Sequence, residues 1–168
     1  KVYTFEELSQ HAQENAFHQF CCHTEYPWHG EVRDTLDAFT DLFDFSVYHW
    51  EYDSMMASHR ESFPDHYHEI KGHVAREWFK RQSKIIHSAD DCPLTGYYLD
   101  VYILHPIRLF IDDTDRTDSV ADILRLCVGD FFNAVVHDVD DYYSIEYFAE
   151  HCAINDYEFL ENGEVYYS

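Results

Sequence analysis

Histidine and cysteine supply most of the side chains in this sequence that could serve as metal ligands, bases or nucleophiles. His66 and His68 flank Tyr67 in the run Asp65-His66-Tyr67-His68-Glu69, and His73 follows. On an extended strand, residues two apart share a face, so this pair could chelate a metal for a hydrolase that also draws on nearby acids. His18 and Cys22 stand one helical turn apart as a second candidate pair, and vicinal Cys21-Cys22 could be a redox or metal pair. None of these reproduces His-Glu-x-x-His or paired Cys-x-x-Cys. There is no Gly-x-Ser-x-Gly elbow and no Gly-rich phosphate loop. The expectation is therefore no catalytic residue, no metal and no cofactor. The histidines are read as surface or partly buried rings, and the cysteines as small buried hydrophobes.

The second chemistry is that of carboxylates. Asp and Glu number 33 against 11 Lys and Arg, a formal net charge of −22 with histidine neutral. Such a field repels a phosphate backbone and an anionic membrane face, so direct binding to nucleic acid or membrane is not expected. The balance is uneven: residues 1–84 carry net −7 and residues 85–168 net −15. In the acidic half, Asp112, Asp113 and Asp115 precede a helical pattern that carries Asp118, Asp122, Asp130 and Asp140 outside its apolar arc. Successive helical turns rise about 5.4 Å, comparable to one or two phosphate steps along a DNA strand. Asp112, Asp113, Asp115, Asp118, Asp122 and Asp140 are thus the candidate target-binding residues, a row of carboxylates imitating a row of phosphates. The plainer alternative is a solvated helix face whose acids favour the helix N-terminus. The charge of the whole chain tips the reading to mimicry, because self-repulsion of this size is more than solubility requires.

These residues need elements to hold them. With 46% hydrophobic residues and few Gly or Pro, the chain should fold, and its 168 residues suit one domain. Thr4-Phe5-Glu6-Glu7 reads as a capping box opening a helix to about His23. Val32, Leu36, Phe39, Leu42 and Phe43 mark a second helix. Phe45 to Tyr52 reads as a strand with Phe45 and Val47 on one face and Tyr48, Trp50 and Tyr52 on the other. Ile70, Val74 and Trp78 suggest a third helix from Tyr67 to about His87, in whose region five bases gather (Lys71, Arg76, Lys80, Arg81, Lys84), either neutralising nearby acids or forming a patch. A short helix spans about 101–111, with Pro106 expected to limit or kink it.

The clearest helix runs from Asp118 to about Asp141, with Val120, Ile123, Leu124, Cys127, Val128, Phe131, Phe132, Val135 and Val139 on one arc. Ser144 opens another to about Ala153. Tyr157-Glu158-Phe159-Leu160 and Glu164-Val165-Tyr166-Tyr167 around Asn162-Gly163 read as a hairpin. The expected fold is a helix-rich α+β domain on a small antiparallel sheet that includes this C-terminal hairpin. The odd cysteine set, the helix start beside Lys1 and the lack of a long apolar run point to a reducing cytoplasm, with no signal peptide or membrane span.

Three stretches resemble a family of small acidic proteins encoded by tailed phages and prophages. They are Tyr3-Thr4-Phe5-Glu6-Glu7-Leu8, the run from Cys92 through Thr95-Gly96-Tyr97-Tyr98-Leu99-Asp100 to Ile107, and Asn155-Asp156-Tyr157-Glu158-Phe159 with Asn162-Gly163-Glu164. Near Phe45-Ser46 this chain departs from the family's Gly-Phe-Trp-rich pattern. The family brings no catalytic residues to carry over. The resemblance implies a location in the cytoplasm of an infected bacterial host. It also implies a likeness to DNA-mimicking inhibitors of the anti-CRISPR or anti-restriction type, with the basic nucleic-acid-binding surface of a CRISPR effector or other defence nuclease as partner. A homodimer is compatible with the sequence. The alternatives are the metal-dependent hydrolase and a non-catalytic phage accessory protein whose charge keeps it soluble.

Overall fold

The computed structural model describes residues 1–82 and 84–167. In chain order the elements are α1 (Gln10–His23), α2 (His29–Phe43), β1 (Ser46–Tyr52), β2 (Ala57–Ser62), α3 (Gly72–Gln82), α4 (Asp100–Asp112), α5 (Val120–Tyr142) and α6 (Ile145–Ile154), with short 3-10 turns between some of them. The fold is helix-rich with one two-stranded antiparallel sheet in mid-chain. The chain divides into two compact units: Pro27–His137, and Lys1–Tyr26 together with Asp138–Ser168.

In the larger unit, the apolar arc expected of α5 is buried at every named position from Val120 to Val135. α2 buries Val32, Leu36, Phe39 and Phe43, as its spacing requires, leaves Leu42 half-buried and adds Thr35. The aspartate that ends α2, Asp44, takes the left-handed conformation (φ 52°) that stops a helix. α3 differs from expectation. Val74 is exposed, Ile70 precedes the helix and is half-buried, Trp78 is half-buried against Phe43 and Tyr67, and the residues the helix buries are Ala75, Arg76 and Phe79. It is also shorter, because Asp65–His68 and Lys84–His87 are separate 3-10 turns; Ser83, inside the expected helix, lies outside the described residues. Pro106 sits within α4 and is itself buried, so the helix continues through it.

The strand faces are reassigned by one residue. β1 and β2 pair from Ser46 with Ser62 to Tyr52 with Ala57, and the register shifts between Tyr48 and Glu51. His49 occupies the irregularity with φ 51°. An extra residue flips every later side chain to the opposite face. Val47 therefore joins Trp50 and Tyr52 on the half-buried side, while Tyr48 is exposed. Trp50, Tyr52 and His59 then pack on the Phe132 ring of α5 at centroid distances of 5.8, 6.4 and 5.2 Å. β2 carries no apolar alternation, so its sequence gave no strand signal.

The smaller unit gathers Phe5, Leu8, Ala12, Ala16, Phe148, Cys152 and Phe159 into a core. Thr4 and Glu7 do close on each other, Thr4 N–H donating to Glu7 Oε2 at 2.9 Å, but they hold a single 3-10 turn, Phe5–Glu7. Leu8 is extended, and Ser9 caps α1 afresh by accepting from Ala12 N–H at 3.3 Å. Ser144 caps α6 as its sequence suggested. The C-terminal hairpin expected in the sheet is not a strand pair. Phe159 makes isolated bridges to both Tyr3 and Val165. With one partner residue on each side, no ladder propagates. The turn is nevertheless tight: Gly163 has φ 88°, and a Cβ placed there would lie 2.2 Å from the backbone oxygen of Ala12.

Candidate acidic interface

The loop that carries Asp112, Asp113 and Asp115 is held from below by a residue that the sequence presented as one of five bases around the third helix. Arg76 is 7% exposed. Its guanidinium donates to the backbone oxygens of Asp113 at 3.2 Å, Thr114 at 3.1 Å and Arg116 at 2.8 Å, and it lies 5.4 Å from the centre of the Phe110 ring. An arginine so used satisfies carbonyls that a helix end and a loop leave open. Asp113 caps α4, and its carboxylate accepts from Asp115 N–H at 3.1 Å. Gly72 N–H donates to Asp118 O at 3.1 Å and Val120 N–H to Ile70 O at 2.9 Å, tying the far side of the loop to the start of α3.

The six candidate carboxylates separate by environment. Asp112, Asp113 and Asp115 are exposed, and among the described residues none of them is in an ion pair. Asp118 is half-buried and pairs with Arg116 at 2.9 Å. The hydrogen bond from that guanidinium lowers the Asp118 pKa from its ordinary value, against the opposing effect of desolvation. Asp122 accepts from Ser119 N–H while its own N–H donates to Ser119 Oγ, both at 3.1 Å, a reciprocal cap on α5. It also lies 3.6 Å from Arg125. Asp140 is exposed and belongs to the smaller unit. Asp118 and Asp122 are thus in ion pairs, Asp113 accepts only its local backbone hydrogen bond, and four of the six are free of ion pairs among the described residues.

The smaller unit holds the greater concentration of uncompensated charge. It contains 13 acids and one base, Lys1. Every one of those acids except Asp138 is exposed. None of the exposed ones is in an ion pair among the described residues. Two of them accept local hydrogen bonds: Glu7, whose pKa is lowered by the Thr4 backbone hydrogen bond, and Glu14, which accepts from Gln10 Nε2 at 3.0 Å. Asp138 is half-buried and accepts a short hydrogen bond from the Tyr26 hydroxyl. Sequence reasoning placed the mimic on the loop and α5. It missed these acids because they are scattered between residues 6 and 25 and between 138 and 164, and only folding brings the two segments into one unit.

The histidine pair is not built for a metal. His66 and His68 lie on a 3-10 turn rather than a strand. At three residues per turn, positions two apart project about 120° apart around the axis, so they share no face. Among the described residues no group of three or more His, Cys, Asp or Glu is placed to hold a metal. His18 and Cys22 do meet, Sγ to Nε2 at 3.6 Å, on an exposed surface. Burial raises the thiol pKa of Cys21, raises that of Cys152 to about 11, and raises that of Cys127 well above the ordinary range. Thiols so raised are protonated and poor nucleophiles at neutral pH.

A histidine–carboxylate contact does exist where no motif announced it. His59 Nδ1 lies 2.5 Å from Glu61 Oε1, and the Glu61 side chain is 8% exposed, with Arg125 Nε 3.9 Å from its other oxygen. The ring of His59 stacks on Phe132, and Arg125 lies over Phe63. Period two along β2 puts both residues on one face. The rings and the guanidinium account for the arrangement as packing of the hairpin onto α5.

No family model, curated protein or solved structure matches this chain. No helix among the described residues is long and apolar enough to cross a membrane.

Proposed function

We propose that the protein is a non-enzymatic inhibitor that occupies a basic DNA- or RNA-binding surface in place of nucleic acid. The proposed target is a host defence nuclease, foremost a CRISPR effector, met in the cytoplasm of a phage-infected bacterium. The observation that carries the reading is the exposed acidity of the smaller unit, whose carboxylates face solvent with Lys1 as their one basic neighbour in that unit. Exposed, unpaired charge of one sign contributes nothing to folding and raises self-repulsion, and it steers association with a surface of opposite sign. Asp112, Asp113 and Asp115 add exposed carboxylates on a loop held by Arg76. A loop fixed before binding loses less entropy on contact.

The test is displacement. A labelled DNA duplex bound to a purified CRISPR effector should be released on adding this protein, with release weakening as salt shortens the Debye length toward about 8 Å at physiological strength and below it. The protein alone should show no affinity for the duplex. Tight, saturable binding to bare DNA, or failure to displace DNA or guide RNA from any effector in a panel of classes, would falsify the reading.

A further inference from the structure

The turn from Thr95 to Tyr98, with the start of α2, forms a second feature that the acidic surface does not explain. Trp28, Tyr97 and Tyr98 line a cavity of about 300 Å³ together with Glu31, Asp34 and Gly96. The three rings touch one another: Trp28 and Tyr98 meet edge to face at 5.9 Å, Tyr97 and Tyr98 at 4.8 Å, and Trp28 and Tyr97 at 6.3 Å. Tyr97 is buried, whereas Trp28 is 40% and Tyr98 45% exposed. Rings this large are ordinarily turned into a core. Here two of them keep much of their surface in water beside two carboxylates.

Those carboxylates come from α2 at a spacing of three, which places them on one side of the helix. Neither is in an ion pair among the described residues. The opposite wall is rigid. Asp100, fully buried, accepts from Thr95 N–H at 2.8 Å, Gly96 N–H at 3.2 Å and Thr35 Oγ1 at 2.5 Å. Gly96 has φ +82°, and no atom outside its neighbours lies within 4 Å of where a Cβ would stand, so glycine here serves backbone shape and leaves the wall low.

We propose that this cavity binds an arginine side chain presented by a protein partner. Aromatic faces attract a cation, and guanidinium does so best because it is planar, weakly hydrated and able to stack. Its N–H groups need acceptors, which Glu31 and Asp34 supply. A quaternary ammonium would leave both carboxylates without a donor, and a lysine would forgo the stacking. That the arginine belongs to a partner rests on the inhibitor reading, since a nucleic-acid-binding surface is rich in arginine. The preference for guanidinium rests on the cavity alone.

The test uses the full chain and three peptides, acetyl-Gly-Xaa-Gly-amide with Xaa arginine, lysine or the uncharged isostere citrulline. Binding is read from the indole N–H signals of the three tryptophans, Trp28, Trp50 and Trp78. The arginine peptide should shift Trp28 saturably, bind roughly fivefold tighter than the lysine peptide, and have no counterpart with citrulline. The double variant Glu31→Gln, Asp34→Asn should weaken it roughly tenfold with the fold intact. Equal binding of arginine and lysine, shifts confined to Trp50 or Trp78, or an unaffected double variant would overturn the assignment. A protein that binds the arginine peptide yet displaces no DNA retains the cavity's function and loses the inhibitor reading; displacement without peptide binding does the reverse.

Discussion

In the unit Pro27–His137, charged and polar groups are drawn into the structure. Asp100 is fully buried and organises a turn, Arg76 is buried beneath a loop, and Glu61, Glu77, Asp118 and Asp122 each face a base or a histidine. In the unit made of Lys1–Tyr26 and Asp138–Ser168, the acids stand outside a core of rings and small residues and meet no base in the exposed positions described. The larger unit has ten bases for twenty acids, the smaller one for thirteen. Net charge alone would treat all carboxylates alike. Position separates those that hold the fold from those left over, and the left-over ones are the candidates for binding.

The difference can be broken most directly at Arg76. Replacing it with Ala removes three charge-assisted hydrogen bonds and leaves the oxygens of Asp113, Thr114 and Arg116 without their donor. We expect a loss of about 3 kcal/mol or more in chemical denaturation, with Arg76→Lys recovering little because a point charge cannot span three carbonyls. Retained stability in Arg76→Ala would mean that this unit does not rely on its buried polar groups.

The smaller unit should instead be sensitive at a position without charge. In Gly163→Ala the new methyl meets the Ala12 oxygen of α1 and is forced to φ 88°. A destabilisation of about 2 kcal/mol is expected, since left-handed strain costs roughly 1–3 kcal/mol and backbone cannot yield as a side chain can. The check is the melting temperature of Gly163→Ala beside that of a neutral surface control such as Glu161→Gln, which should match the parent.

Binding offers the third contrast. Asn at Asp112, Asp113 and Asp115 together, all in the larger unit, should leave melting within the usual surface range of about ±0.5 kcal/mol. The same variant should weaken association with a CRISPR effector at least roughly tenfold at low salt, less at high salt. Asn at Asp140 with Gln at Glu146, Glu150 and Glu158 tests the smaller unit alone in the same assay. If one set matters and the other does not, the interface lies in the unit whose set mattered. If a well-folded variant of both sets binds as the parent does, neither surface is the mimic.

Much of this division was hidden in the sequence, for identifiable reasons. Long amphipathic periodicity exposed α5 and most of the buried face of α2, where Thr35 is buried and Leu42 only half-buried, and the Ser144 cap fixed the start of α6. The α3 face was misread because Arg76 is a core residue there, and hydrophobic periodicity has no place for a buried arginine. The capping box at Thr4 was real but served one turn, since Leu8 leaves the helical conformation. A one-residue bulge at His49 inverted the strand faces, which no period-two pattern anticipates. At the candidate site, acidity was legible residue by residue, but pairing was not: nothing in the sequence distinguishes Asp115, exposed, from Asp118, clasped by Arg116.

Asp118 is therefore the borderline case and the smallest expected effect. Its carboxyl pKa is lowered chiefly by the hydrogen bond from Arg116, so the folded state holds the charged form more tightly than the unfolded chain does. Such a group adds stability above its unfolded pKa, and that increment disappears as pH falls through the lower folded value. With about 30% of each side chain exposed, solvent screens the pair, and its worth should be no more than about 1 kcal/mol. Asp118→Asn should accordingly melt slightly below the parent at pH 7 and approach it in acid, where the parent's own pair has been protonated. High salt should narrow the gap at pH 7. If Asp118→Asn is as stable as the parent at pH 7 but binds the effector less well, the carboxylate is available to a partner despite Arg116, and Asp118 moves to the binding side of the comparison. If it loses stability and binds normally, it stays with the structural acids, and the functional row shortens to the exposed ones.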